Sequence, residues 1–269
     1  MKKDICYVTT AYNGEVRVII VDAINTVRKA LLIHNVKKEH KSFFGEFILA
    51  SLIMGETFKQ HESVYLKLAS NIGEMVASSD NKGNVKADIE VNDENTIKSG
   101  TLNVIRQLDD KSIYNSTIEI NSDNISDIFT SYYLTSDQTL TCIKTSCTFK
   151  SEGILDHAFG FMLQLLPAAS VETKKNINKV FDYEDLFSKD IEHILSLLTG
   201  SSHTLVFEQN LKYFCDCTKE KYYTKLIALD KKTIDSIIKD NTDVEIVCPF
   251  CHKKYVFNKK ELEEIYKTK

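Results

Sequence analysis

The chain has 269 residues, 43% of them hydrophobic, with a net charge of −4 and a pI near 6.0. That length buries a sizeable core in one large domain or in one large and one small, and the mildly acidic balance argues against a surface built generally for nucleic acid. Met1-Lys2-Lys3-Asp4 is followed by no apolar run, and the most apolar stretch, 47–54, is far below a membrane span and broken by Ser51, so a reducing, cytoplasmic setting away from membranes is expected.

In chain order, residues 5–20 read as two strands around Asn13-Gly14, a strong hairpin signal. Apolar residues at helical spacing predict a helix over 21–35. A second helix is predicted over 42–58, with Ser42 as its N-cap and Glu46 in the first turn. Phe43, Phe44, Phe47, Ile48, Leu52, Ile53 and Met54 surround this helix, so it should be buried on most sides. The pattern then shortens to strands: 64–68, 74–78, 85–91, 101–108 and 116–120, separated by Gly and Asp/Asn turns. A helix over 123–134 and strands near 139–149 and 160–166 follow, and Pro167 closes this part. Helices and strands come in blocks, which makes the fold class α+β.

From 168 to 213 the chain is polar and charged, with weak helical patterns over 176–187 and 190–198 stopped by Gly200. Helices this short are marginal alone and need a partner surface. The domain reading is therefore a core over 1–167, a helical metastable linker over 168–213 and a small domain over 214–269. That last domain reads as a strand into a cysteine pair, a helix near 231–239, a strand over 244–247 into a second pair, a strand over 255–257 and a final helix.

Four of the seven cysteines form those pairs: Cys215-Asp216-Cys217 and Cys248-Pro249-Phe250-Cys251. Residues two apart in extended chain point to one side, and Pro249 presets a tight turn that brings Cys248 and Cys251 together. Each pair supplies two sulfurs and tetrahedral zinc takes four, so one Zn²⁺ bound by Cys215, Cys217, Cys248 and Cys251 closes the small domain. A disulfide framework is the alternative, disfavoured in a reducing compartment. A thioredoxin-like redox pair needs a long βαβ sequence after Cys251, and only eighteen residues remain.

These residues resemble the heat shock protein 33 family of redox-regulated holdase chaperones. The Cys-x-Cys, the thirty-residue gap and the Cys-x-x-Cys match its zinc centre. Ser136-Asp137-Gln138-Thr139 resembles the Ser-Glu-Gln signature after the family's core helix. Phe161-Met162-Leu163-Gln164-Leu165-Leu166-Pro167 resembles the Leu-Gln-x-x-Pro strand that ends its core domain. The chain departs from the family pattern at 83–88, at Phe159-Gly160 and at Lys219-Glu220-Lys221. The resemblance implies a protein that holds zinc when reduced. On oxidation it forms the disulfides Cys215–Cys217 and Cys248–Cys251, releases the metal, unfolds its linker and binds unfolded client proteins, with a homodimer as the active oxidised form.

Two other readings stand beside this one: a purely structural zinc module, and a nucleic-acid-binding zinc ribbon. Residues 214–269 carry 12 Lys against 10 Asp plus Glu, and four thiolates with one Zn²⁺ cancel that small excess, whereas a phosphate-binding module is clearly basic. His252 abuts Cys251, but four sulfurs already complete the shell. Cys6, Cys142 and Cys147 read as core or half-buried thiols. No hydrolytic triad, phosphate loop or paired-carboxylate signature is present, so no enzymatic activity is expected.

Overall fold

Tyr12, Asn13 and Gly14 turn with φ of 51°, 55° and 85°, left-handed values that suit Asn and Gly, and join β1 (Ile5–Ala11) to β2 (Val16–Asp22) in antiparallel register, Ile5 opposite Asp22 and Ala11 opposite Val16. This computed structural model describes residues 3–58, 61–109, 111–167, 169–180, 191–199, 203–230, 232–233, 236 and 243–267. They fall into two units, Met1–Phe214 and Cys215–Lys269.

The first unit contains two sheets. One is ordered β10-β1-β2-β9-β8, with β8 at Thr141–Phe149, β9 at Leu155–Leu165 and β10 at His203–Asn210. The other is ordered β11-β5-β4-β3-β6-β7, with β3 to β7 at Glu62–Ser70, Gly73–Asp80, Asn84–Val91, Gly100–Leu108 and Lys111–Ile120, and β11 at Lys212–Tyr213. Both sheets contact α2 (Lys41–Gly55), where every residue from Phe44 to Gly55 except Glu46 is buried. A helix hydrophobic all round belongs in the middle of a core. The α+β class follows from this arrangement of antiparallel sheets with few, segregated helices.

Several boundaries differ from the sequence expectation, and at three helix starts the structure shows the local contacts. α1 covers Ile24–His34, and 21–22 stay in β2. Its start is set from outside the helix: the buried Asp4 carboxylate accepts from the backbone N–H groups of Asn25 and Thr26, at 3.0 and 2.5 Å, and so does the work of an N-cap that Ala23 cannot do. α2 begins at Lys41 after His40, and Ser42 does not cap it; its hydroxyl donates to the Cys147 carbonyl at 2.5 Å, tying α2 to β8. α3 runs Ile125–Thr135 with Asn124 as N-cap, accepting from Asp127 N.

The outer face of the first sheet is apolar as well. Val16, Val18 and Ile20 of β2 and Phe159, Phe161 and Leu163 of β9 are buried under Ile177 of α4 (Val171–Val180) and Ile194 and Leu198 of α5 (Ile191–Thr199). β2 is thus covered on both faces, which explains its nearly unbroken apolar run. α4 is pinned at its start by Glu15, whose carboxylate accepts from Ser170 N, Ser170 Oγ and Thr173 Oγ1. The remainder of the helix expected over 176–187, its residues 181–187, lies outside the described residues. Residues 203–213, for which periodicity gives no element, form β10 on the edge beside β1 and β11 beside β5. Gly83, at φ 72°, admits that crossing: a Cβ there would lie 2.2 Å from the Asn210 carbonyl oxygen. Among the described residues no helix is long and apolar enough to cross a membrane.

Two carboxyls in this core make stability depend on pH. Burial pushes Glu46 and Glu56 up to about 7 from an ordinary 4.5, with Asp80 adding to the rise at Glu56. Glu56 is 5% exposed and neither of its oxygens makes a hydrogen bond of good geometry. Between pH 4.5 and 7 the folded chain therefore holds protons that the unfolded chain has lost, and stability falls as pH rises through this window. Glu56→Gln is expected to stabilise the chain by about 1–3 kcal/mol at pH 8 and by little at pH 5. Thermal unfolding of both proteins at the two pH values checks this; equal shifts would refute it.

Candidate metal centre

Among its described residues the second unit gathers a hairpin and the helices on either side of it around sulfur. β12 (Val244–Val247) and β13 (Lys254–Phe257) pair antiparallel, Val244 opposite Phe257. The turn between them carries Cys248 and Cys251. It is closed by Cys248 N to Lys253 O and His252 N to Cys248 O, both 2.9 Å, with His252 at φ 56°. Pro249 supplies the fixed φ that begins this turn. Cys215 and Cys217 lie in extended chain directly before α6 (Lys219–Ala228), whose N-cap Thr218 accepts from Lys221 N. Sequence periodicity does not give α6, and most of the helix expected near 231–239 lies outside the described residues. α7 (Lys259–Lys267) opens with Asn258 and Glu261 capping each other's backbone N–H.

All four sulfurs converge. Cys215 Sγ is 3.6 Å from Cys248 Sγ, Cys217 Sγ is 3.3 Å from Cys251 Sγ, and the set lies within 4.8 Å of one another. Four thiolates at ~2.3 Å around one tetrahedral ion stand about 3.8 Å apart, so the spacing fits a metal and the donor set is that of zinc. Among the described residues no disulfide is present. Two tyrosines complete the surroundings, and the cysteine spacing does not reveal them. Tyr255 Oη lies 2.7 Å from the Cys217 carbonyl and 3.1 Å from its sulfur, and its ring packs on that of Tyr222, centroids 5.1 Å apart. Their signal in sequence is an aromatic residue shortly beyond each pair, Tyr222 five after Cys217 and Tyr255 four after Cys251.

Burial acts upward on the Cys248 thiol, but it is outweighed by the Tyr222 hydroxyl, the backbone N–H groups of Cys251 and Phe250 and the Cys217 thiol, which hold it at about 7. Burial pushes Cys215 up. The other cysteines are placed as core thiols: Cys6 and Cys147 are buried, and Cys142 is half-buried. Burial raises all three, Cys147 to about 12 with Glu46 adding to the rise. Cys142 and Cys147 share β8; five residues apart in a strand they face opposite sides about 16 Å apart, far beyond disulfide reach. His252 is exposed beside the turn.

The family model described as Hsp33 protein matches residues 4–258. The 33 kDa chaperonin of Clostridioides difficile is 31% identical, over 96% of this chain and 97% of its own, and that of Bacillus velezensis is 28% identical over 95% of each. The crystal structure of the 33 kDa chaperonin of Thermotoga maritima, a heat shock protein 33 homologue, superposes with a TM-score of 0.85 at 25% identity, over 99% of each chain.

Proposed function

Because this chain belongs to the Hsp33 family, we propose that it is a redox-regulated holdase chaperone whose four clustered cysteines bind one Zn²⁺ in the reduced state. The observation that carries the reading is the arrangement of the first sheet's outer face. Six large apolar side chains there are covered by two helices of ten and nine residues, through three buried side chains. Helices this short are marginal without their partner surface. Loss of the cover frees a contiguous apolar surface, the kind that binds unfolded polypeptide. β10 adds an exposed edge bearing Leu205, Val206 and Phe207, open to strand addition by an extended client.

The oxidation balances. Each pair, Cys215 with Cys217 and Cys248 with Cys251, gives up two electrons to one peroxide, its sulfurs join, and the peroxide oxygens leave as two waters after taking two protons from solvent. Zinc bound by the cluster supplies thiolates at neutral pH, the species that oxidants attack. The disulfides then leave no thiolate donors for it. The core then remains as the client-binding body, with residues 168–213 as the segment that loosens and 214–269 as the sensor. A purely structural zinc module is the reading opposed to this one.

The test is metal analysis with and without peroxide, on the native chain and on Cys248→Ser. The expected result is one zinc per reduced chain, its loss on oxidation, and an affinity at least ~100-fold weaker in the variant. Peptide mapping of the oxidised chain is expected to find Cys215–Cys217 and Cys248–Cys251, and sedimentation to find a dimer. Zinc retained after peroxide, with no gain in suppression of client aggregation, would leave the structural reading standing.

A further inference from the structure

This chain spends arginine sparingly: of its 34 Lys and Arg residues only Arg17, Arg28 and Arg106 are Arg. Two of the three line one cavity of about 160 Å³ in the first unit, together with Tyr132, Tyr133, Asp137 and Gln164. Guanidinium and ammonium are not equivalent here, because only the planar fork offers paired donors to a carboxylate or phosphate.

The groups in the cavity are held but under-used. Gln164, buried at 8% exposure, accepts from Arg17 Nη1 at a long 3.4 Å and donates to Thr141 Oγ1 at 3.2 Å. Among the described residues no carboxylate lies within ion-pairing distance of Arg17. Arg106 is fixed by Glu62 at 2.9 Å and by stacking on Phe58 at 4.6 Å, yet its Nε has no partner. Tyr133, 3% exposed, has a hydroxyl with no hydrogen bond of good geometry; its neighbour Thr57 gives its own hydroxyl to the Met54 carbonyl. A buried hydroxyl and a buried guanidinium N–H left without acceptors cost about 1–3 kcal/mol each. Both residues line the cavity. Asp137 is exposed at the rim, where water screens it. The stretches 136–139 and 161–167, unused by the chaperone reading, meet here through Asp137 and Gln164.

We infer that this cavity is a binding site for a small oxyanion of the carboxylate or phosphate class, held by the guanidinium groups of Arg17 and Arg106 and the hydroxyl of Tyr133. Its volume suits acetate or inorganic phosphate and excludes a nucleotide.

With three arginines, a chain labelled with ¹⁵N-arginine gives three Nε–H resonances, one for each. Titration of the reduced, full-length protein with acetate and, separately, with inorganic phosphate is expected to move the Arg17 and Arg106 resonances saturably and leave Arg28 in place. The arm that saturates identifies which oxyanion is taken. Arg17→Gln is expected to weaken binding about tenfold or more, and Arg28→Gln to leave it unchanged. Should Arg17→Gln fail to fold, Tyr133→Phe decides: a merely structural hydroxyl predicts unchanged binding, whereas the site predicts binding several-fold weaker with thermal stability kept or raised. No saturable movement with either anion up to about 20 mM, a concentration that marks only very weak affinity, overturns the inference. So does binding that neither Arg17→Gln nor Tyr133→Phe weakens.

Discussion

Stripping the metal from the reduced protein is expected to unfold residues 215–269 and loosen 168–213, while the core over 1–167 stays folded. The second unit has 55 residues, and among the described ones its core holds Leu226, Cys248, Tyr255, Phe257 and Leu262, with the other three cysteines packed against it. A core of that size rarely supplies more than ~3–5 kcal/mol, whereas a structural zinc contributes roughly 10–16 kcal/mol in small modules. The hairpin turn, α6 and the first cysteine pair meet at the sulfurs, so an ion bound there would be the common support of all three. With ¹⁵N-labelled protein and a strong chelator, resonances of the tail should collapse to unfolded positions while those of β1 to β9 remain dispersed. A tail that stays dispersed without metal would show that its side chains suffice, and the proposed sensor would lose its basis.

Equally large is the effect expected from damaging the cover over the first sheet. Ile194 and Leu198 are fully buried on the outer face of the sheet. Ile194→Asp would place a carboxylate against Val16, Val18, Phe159 and Phe161, at a cost of several kcal/mol, more than a nine-residue helix withstands. The helix should leave rather than bury the charge. The variant is expected to suppress client aggregation without oxidant, with hydrogen exchange accelerated across 191–199 and protection retained in β2 and β9. A chain ended after Phe214 should likewise act without peroxide. If Ile194→Asp loses protection in α5 but gains no activity, the outer face is not the client surface.

The cysteine spacing made the four converging sulfurs legible, because few chemistries need two close pairs at that separation. The run of apolar residues around 43–54 likewise announced a helix buried on most sides. Other features left weaker marks. β10 is exposed along almost its whole length, so it carries no in–out alternation, and its pairing with β1 depends on a partner about 200 residues away. α6 packs its aromatic face on the metal turn, a contact that exists only after the hairpin has formed. The Asp4 cap of α1 joins residues 21 and 22 apart in sequence, and no local capping pattern encodes it. The cavity of Arg17 and Arg106 gathers residues from β2, β6, α3 and β9, and only the scarcity of arginine hinted at it.

The short stretch between Tyr213 and Cys215 has a kinetic consequence. Tyr213 is buried, its hydroxyl donating to the Ala87 carbonyl at 2.7 Å and accepting from Ala87 N, and Phe214 N donates to Val85 O. Two further residues reach at most about 7 Å, so while that anchor holds, Cys215 stays tied close to Tyr213 along the chain, however far the residues beyond it unravel. Cys251, 36 residues beyond Cys215, roams an unfolded coil of roughly 30–35 Å. Recovery after reduction is therefore a search by one free end for one tethered end, at an effective concentration on the millimolar scale. At the lower concentrations of separate chains, each protein should rebuild its own centre before it finds a neighbour's thiols.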